Sequence, residues 1–186
     1  MRIAISGAHR TGKTTLAEEL ARALPSYAAV EEPYHQLEAE GHEFAEMPSL
    51  EDFEAQLERS IECLVASEQS TIFDRCPADI LAYLITHEDA DGFDVDRWLP
   101  RVRKAMRRLD LIVFVPVEHP DRIMLSDVRE RRLRRSVDEE LRDIVLGDRW
   151  DFGVGVVEVE GASRERVHQV LAHVGFSRPQ ENPDAR

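Results

Sequence analysis

Short apolar runs alternate with longer amphipathic ones along most of the chain. Arg2–Ser6 is a compact apolar run. Lys13–Leu24 places Leu16, Leu20 and Ala23 at helical spacing and stops before Pro25, because the residue preceding a proline disfavours helical dihedrals. Tyr27–Val30 reads as a second strand. Leu50–Glu68 sets Leu50, Phe53, Leu57, Ile61, Leu64 and Val65 on one stripe behind Ser49, a residue type that caps helix N-termini. Thr71–Phe73 is a third strand, and Pro77–His87 a helix with proline in its first turn. Asp96–Leu109 is helical, and Asp110–Val115 is the most strand-like run in the sequence. Val128–Leu146 is predicted helical with Leu133, Val137, Leu141, Ile144 and Val145 inward. Val156–Val159 and Arg164–Val174 complete the series. Short strands separated by helices predict βαβ units and a parallel sheet covered on both faces. In such sheets ligands bind beyond the carboxyl ends of the strands, so the loops that follow strands are where chemistry is expected.

Length and composition narrow this picture. The 186 residues, 42% hydrophobic and 33% charged, fit one globular domain, expected over residues 1–175, with the polar segment 176–186 as a flexible tail. No run approaches the roughly 18 apolar residues of a membrane span, and the opening MRIAISG reads as a core strand, not a signal peptide. Two cysteines, Cys63 and Cys76, are too few for a disulfide framework, which points to reduced thiols and a cytoplasmic setting. The net charge of -13 disfavours nucleic acid and anionic membranes as partners. A small anion can still bind wherever positive charge is gathered locally.

It is gathered first after strand one. Gly7-Ala8-His9-Arg10-Thr11-Gly12-Lys13-Thr14 fits G-x-x-x-x-G-K-[ST], with an apolar strand before it and an amphipathic helix after it. The glycines let the backbone turn its N–H groups inward as an anion nest, and the helix start adds its positive dipole end. Lys13 supplies a cation for the terminal phosphates, and the Thr14 hydroxyl suits Mg²⁺, a hard ion that prefers oxygen. The expected nucleotide-binding set is Gly7, Ala8, His9, Arg10, Thr11, Gly12, Lys13, Thr14 and Thr15. Guanine recognition by an Asn-Lys-x-Asp motif is set aside, because the single asparagine is Asn182. ATP is the nucleotide expected.

Two strand ends add carboxylates. Strand two runs into Glu31-Glu32-Pro33 and strand three into Asp74-Arg75-Cys76-Pro77. Phosphoryl transfer to a hydroxyl needs a metal held on the phosphates and a group that orients or deprotonates the acceptor, and one carboxylate at each task suffices. The residue after Asp74 is arginine, not a second acid that would activate water, which favours transfer to a bound acceptor. The competing readings are Asp74 as the N-cap of the Pro77 helix and Glu31 and Glu32 as a solvated loop. A third gathering is Arg129, Arg131, Arg132, Arg134 and Arg135, within an expected lid over about 118–136. It reads either as a lid that grips phosphate or as a solvated face with pairs such as Arg135 and Glu139.

Taken together these residues resemble the P-loop nucleoside and nucleotide kinases, including ribosylnicotinamide-kinase-type domains. The resemblance implies a three-layer α/β P-loop NTPase fold, its parallel strands ordered 2-3-1-4-5, with an Arg-rich lid. It implies Glu32 as base, Thr14 and Asp74 serving Mg²⁺, and Arg75 serving phosphate and base. It further implies lid arginines within the cluster at 129–135 without assigning them one by one, Arg131 and Arg135 being the candidates for stabilising transferred charge and Arg132 for the nucleotide, and it implies Ala162 and Ser163 beside the adenine. Phe44, Phe53 and Tyr83 are candidates for an acceptor pocket, with Phe53 favoured as core. Two departures bear on the acceptor: Tyr34 stands at an altered spacing after Glu32-Pro33, and Cys76 replaces a frequent hydroxyl residue. The expectation is therefore a kinase using ATP and Mg²⁺ on a small-molecule phosphate acceptor. A non-enzymatic nucleotide sensor and a polynucleotide 5′-hydroxyl kinase are the rivals, and the oligomeric state is open.

Overall fold

The computed structural model describes residues 1–175 apart from Glu46, Arg122 and Met124, so the tail expected at 176–186 lies outside the described residues. Five strands form one parallel sheet in the order β2-β3-β1-β4-β5, as expected: β1 (Arg2–Ser6), β2 (Ala28–Val30), β3 (Thr71–Asp74), β4 (Leu111–Phe114) and β5 (Gly155–Glu158). The central strands are buried on both faces, which is why they read as continuous apolar runs without alternation. One face packs α1 (Lys13–Ala23) and α7 (Ser163–His173) around Ile3, Ile5, Leu16, Leu20 and Val170. The other packs α3 (Leu50–Ala66), α4 (Pro77–Thr86), α5 (Val95–Met106) and α6 (Val128–Leu141) around Leu57, Leu81, Met106, Phe114 and Leu141. Each such fully buried aliphatic or aromatic side chain contributes about 1.5–3 kcal/mol relative to exposure.

Helix boundaries follow their caps. Ser49 and Asp52 close a reciprocal capping box at the start of α3, and Asp94 and Asp127 cap α5 and α6. Cys76, not Asp74, is the N-cap of α4, so Asp74 is not the cap of that helix. The helix expected over Val128–Leu146 is α-helical to Leu141 and continues as one wide turn over Arg142–Leu146.

Three expected core positions are corrected. Leu133 is 38% exposed, while its neighbour Arg134 is 3% exposed, so the inward stripe of α6 is Arg134-Val137-Asp138-Leu141. The ion pair and carbonyl contacts that Arg134 finds outweigh the apolar preference of Leu133. Val65 is 49% exposed, because the α3 stripe turns past it at Leu64. Ala23, in the last turn of α1, is exposed, and Leu24 is buried in its place. The helix α2 (Pro33–Ala39) was not apparent in the pattern, since Pro33 is its one buried residue and no apolar stripe marks it.

Candidate active site

β1 ends at Ser6, and the chain turns at Gly7 because nothing larger fits: a Cβ there would lie 2.3 Å from the Val115 carbonyl oxygen. Gly12 sits at φ +87° immediately before α1. Between them the loop shows a one-sided hydrogen-bond pattern. Its carbonyls are all occupied. Gly7 O accepts from Arg75 at 3.4 Å, and Ala8 O from Lys13 Nζ at 2.8 Å and Thr11 Oγ1 at 3.0 Å. His9 O and Arg10 O accept from Arg134 at 2.9 and 3.3 Å, and Thr11 O from Arg166 at 2.6 Å. Gly12 O accepts from the Leu16 amide inside α1. By contrast the amides of Ala8, Arg10, Thr11, Gly12, Lys13 and Thr14 have no protein acceptor among the described residues. Carbonyls held outward and amides left over make a cradle for an anion.

Lys13 is 4% exposed. Burial lowers its pKa to about 8, with Arg75 adding to the effect and Asp79, Asp74 and Glu32 opposing it. Thr14 donates to Asp74 Oδ2 at 2.6 Å, which joins the loop to the end of β3. Asp74 Oδ1 is buried and has no partner among the described residues. Burial raises the Asp74 pKa, with Thr14 and Lys13 pulling the other way. Thr14 and Asp74 therefore present hard oxygen donors beside the cradle, a set that fits Mg²⁺. Among the described residues no group of three or more histidines, cysteines or acids could hold a metal ion by itself.

The strand-two acid joins the same spot. Glu32 Oε1 accepts from Arg75 Nε at 2.5 Å, whereas Glu31 is exposed and only its carbonyl is engaged, by Gln36. Burial works to raise the Glu32 pKa, but Arg75 and Lys13 more than offset it and hold the carboxyl below its ordinary value. Arg75 is buried, takes a left-handed backbone at φ +76°, and lies 5.3 Å over the Tyr83 ring. Tyr83 stacks on Phe53 at 5.4 Å, and Phe44 stacks on Tyr34 at 4.2 Å, so the three aromatics named from sequence flank α2, α3 and α4 on this side.

Two further residues, Asp79 and Arg166, escaped the sequence reading, and a third, Arg134, was named there only as one of the arginine cluster. Asp79 Oδ1 accepts from the Gly7 amide at 2.9 Å while its Oδ2 accepts from the Cys76 amide at 2.9 Å, locking the loop to the start of α4. Its position three residues after the N-cap was the available signal. Arg134 and Arg166 bind the loop carbonyls and are themselves paired, Arg134 with Asp121 and Arg166 with Glu118 at 2.9 Å. Nothing in local spacing marks either one.

The arginine cluster divides. Arg134 alone of the five is buried on the loop. Arg131 donates to the carbonyls of Leu125 and Ser126, and Arg132 and Arg135 are exposed and line an outer groove with Glu139. The structure does not bring Arg131, Arg132 and Arg135 to the cradle. In the loop after β5, where the adenine is expected, the Ala162 amide donates to Glu165 and the Ser163 hydroxyl to Glu19, each at 2.6 Å. Thr15 is exposed on the first turn of α1. Beside the loop is a cavity of about 400 Å³ whose lining includes Arg10, Thr11, Gly12, Glu118, Arg134 and Arg166.

Several solved structures share this architecture. Deoxyadenosine kinase from M. mycoides with products dCMP and a flexible dCDP bound superimposes with a TM-score of 0.67 at 16% identity, covering 94% of this chain and 98% of that one. The NadR protein in complex with NAD and AMP-PNP gives 0.65 at 19% identity, covering 97% of this chain and 51% of that one. Thymidylate kinase from Candida albicans gives 0.61 at 15%, covering 94% and 90%. These likenesses establish the P-loop kinase fold that the sequence resemblance implied. No curated protein matches the chain in sequence. The family model of the AAA domain matches residues 2–166, strand one through the start of α7, and the chain belongs to that family.

Proposed function

We propose that the protein is an ATP-dependent phosphotransferase acting on a small, nucleoside-like acceptor. The observation that carries this reading is the convergence of two pairs, Thr14 with Asp74 and Glu32 with Arg75, on one phosphate cradle from two adjacent strands. The cradle amides and Lys13 hold the triphosphate. Mg²⁺, held by Thr14 and Asp74, would neutralise charge on the phosphate oxygens. Glu32 is ionised at neutral pH, takes the proton of the acceptor hydroxyl, and lets that oxygen attack the terminal phosphorus as the bond to ADP breaks. Arg75 keeps Glu32 aimed and places a cation beside the transferred group. Arg134, alone of the cluster expected to form the lid, reaches the cradle, and it does so by holding the loop carbonyls.

The fold neighbours support the acceptor class, since deoxyadenosine and thymidylate kinases act on nucleosides or nucleotides. Tyr34, two residues after Glu32 and stacked on Phe44, brings an aromatic pair to this side of the site that would suit a planar base, whereas Phe53 and Tyr83 belong with the core. No helix among the described residues is long and apolar enough to cross a membrane, and a cytoplasmic setting, where ATP is plentiful, fits this activity. The test is an acceptor screen with γ-labelled ATP over nucleosides, nucleotides and vitamin-like alcohols. Label should appear in one acceptor class, and Asp74→Asn should abolish transfer while nucleotide binding persists. Tight ATP binding with transfer to nothing would instead favour a nucleotide sensor.

A further inference from the structure

Buried polar atoms without a hydrogen-bond partner are scarce in folded proteins, and each calls for an explanation. Among the described residues four of the five lie around the cradle: Ser6 Oγ, His9 Nε2, Asp74 Oδ1 and Arg166 Nε, the fifth being Arg59 Nε. Asp74 has been given a role. His9 has not.

The His9 ring is oriented from one side. The Tyr83 hydroxyl accepts the His9 backbone N–H at 2.9 Å and lies 3.1 Å from Nδ1. Having accepted the amide hydrogen, the phenol still has its own proton to donate, and Nδ1 is within reach to receive it. The tautomer that uses the phenol's proton in this way carries the ring hydrogen on Nε2, and that tautomer is taken for His9. The imidazole is also kept neutral: burial, then Arg75, Lys13, Arg134 and Arg10, lowers its pKa to about 4. A neutral donor of fixed direction thus stands within a ring of four cations.

What faces it is a carboxylate. Glu130 Oε1, from the first turn of α6, lies 2.9 Å from Arg10 Nε and 3.9 Å from His9 Nε2. It pairs with Arg10 but stops short of a hydrogen bond to the imidazole. An acid is thereby placed among groups that suit a phosphate oxygen better, since a phosphate carries more charge and more acceptors.

We infer that Glu130 is a stand-in anion: it occupies Arg10 and faces the His9 Nε2–H while the cradle is free, and a phosphoryl group of the nucleotide displaces it and takes both donors. His9 then contributes a neutral hydrogen bond to the terminal phosphoryl group, and Tyr83 is the positioning residue that fixes its tautomer. The inference rests on the proposal that the cradle takes a triphosphate, but not on phosphotransfer.

The test uses inorganic tripolyphosphate with Mg²⁺ as the probe, titrated calorimetrically into the whole protein. Glu130→Gln removes the competing charge without disturbing a core position, and should bind the probe roughly tenfold more tightly, with the gain shrinking as salt rises. His9→Leu should bind several-fold more weakly, and His9→Gln, which keeps an N–H near the Nε2 position, should recover most of the loss. Nitrogen-15 NMR of the wild-type ring at pH 7 should place the hydrogen on Nε2 and show that resonance shifting with the probe. In Tyr83→Phe the ring should populate both tautomers. Unchanged or weaker binding by Glu130→Gln, or a ring hydrogen on Nδ1, overturns the inference even where His9→Leu fails to fold. If wild type phosphorylates no acceptor while Glu130→Gln gains affinity, the phosphotransferase reading falls and the stand-in anion stands. If transfer proceeds and Glu130→Gln gains nothing, the reverse holds.

Discussion

The two flanks of the phosphate loop are built differently. On the α4 flank the loop meets Glu32 and Arg75, the pair proposed to act on the acceptor, and, beneath them, Asp79 and Tyr83, which hold the Gly7 and His9 amides. These stand on the end of β3, the start of α2 and the first turns of α4, and most are buried. On the opposite flank the loop meets arginines from α6 and α7, and they contact its carbonyls. Both flanks hold the loop backbone, the α4 flank at Gly7 and His9 and the arginine flank at His9, Arg10 and Thr11, but only the α4 flank also carries the Glu32–Arg75 pair to which the proposed reaction is assigned. Cationic side chains near a phosphate site are therefore not all phosphate ligands, because Arg134 and Arg166 reach the outside of the cradle and so free its inside.

The largest effect should come from the reactive flank. Glu32→Gln keeps the shape but removes the base, and kcat is expected to fall by roughly 10²–10⁴-fold with little change in nucleotide affinity, read by steady-state kinetics and calorimetry. A fall in affinity with kcat intact would mean that the α4 flank also shapes the loop. The pH profile sharpens this. Because Glu32 is held below its ordinary value, the acid limb of kcat should lie at the low end of the carboxylate range, with activity lost as pH falls through that lowered pKa. Arg75→Met should move the limb to higher pH.

Next comes the shaping flank. Arg134→Met strands Asp121 and two loop carbonyls, and should cost about 2 kcal/mol of stability and about tenfold or more in ATP affinity, measured by denaturant melts and calorimetry. Its effect on kcat at saturating ATP should be far smaller than that of Glu32→Gln. Equal losses in kcat from both variants would erase the distinction between the flanks.

Lys13 lies between the flanks and tests the cost of building a cradle in advance of its ligand. Its pKa of about 8 against an ordinary 10.5 means that the ammonium is disfavoured in the free folded protein. That cost is fully present below pH 8 and disappears as pH rises from 8 toward 10.5. Lys13→Met should therefore melt above wild type at pH 7, lose that advantage by pH 10, and bind no ATP. The smallest effect is expected from Arg131→Ala, Arg132→Ala and Arg135→Ala combined: less than about twofold on ATP affinity, since the three reach other carbonyls or the outer groove.

What could be read from the sequence divides along the same line. Gly7–Thr14, Glu32, Asp74 and Arg75 are legible because each sits directly after a strand, and a parallel sheet brings all such ends to one edge. The strand order followed from the family resemblance, and the α3 and α4 boundaries from Ser49 and Pro77. The shaping flank is not legible. Arg134 lies among four other arginines and differs from them only in facing inward, which the exposed Leu133 disguises. Arg166 is 155 residues from its partner Thr11, and nothing near either announces the meeting. The partners of Ala162 and Ser163 are visible from local sequence in one case and hidden in the other: Glu165 stands three residues on from Ala162, whereas Glu19 lies 144 residues away from Ser163 on α1.

The absent Cβ of Gly7 has a mechanical meaning. With 2.3 Å between that position and the Val115 carbonyl, the first turn of the loop is clamped against the end of β4. Any side chain there would wedge apart the two middle strands, and the leverage would reach Pro116, where the chain leaves the sheet for the cavity wall. Grip on the ligand and separation of the central strands are thus a single coordinate, and a substitution that alters one alters the other.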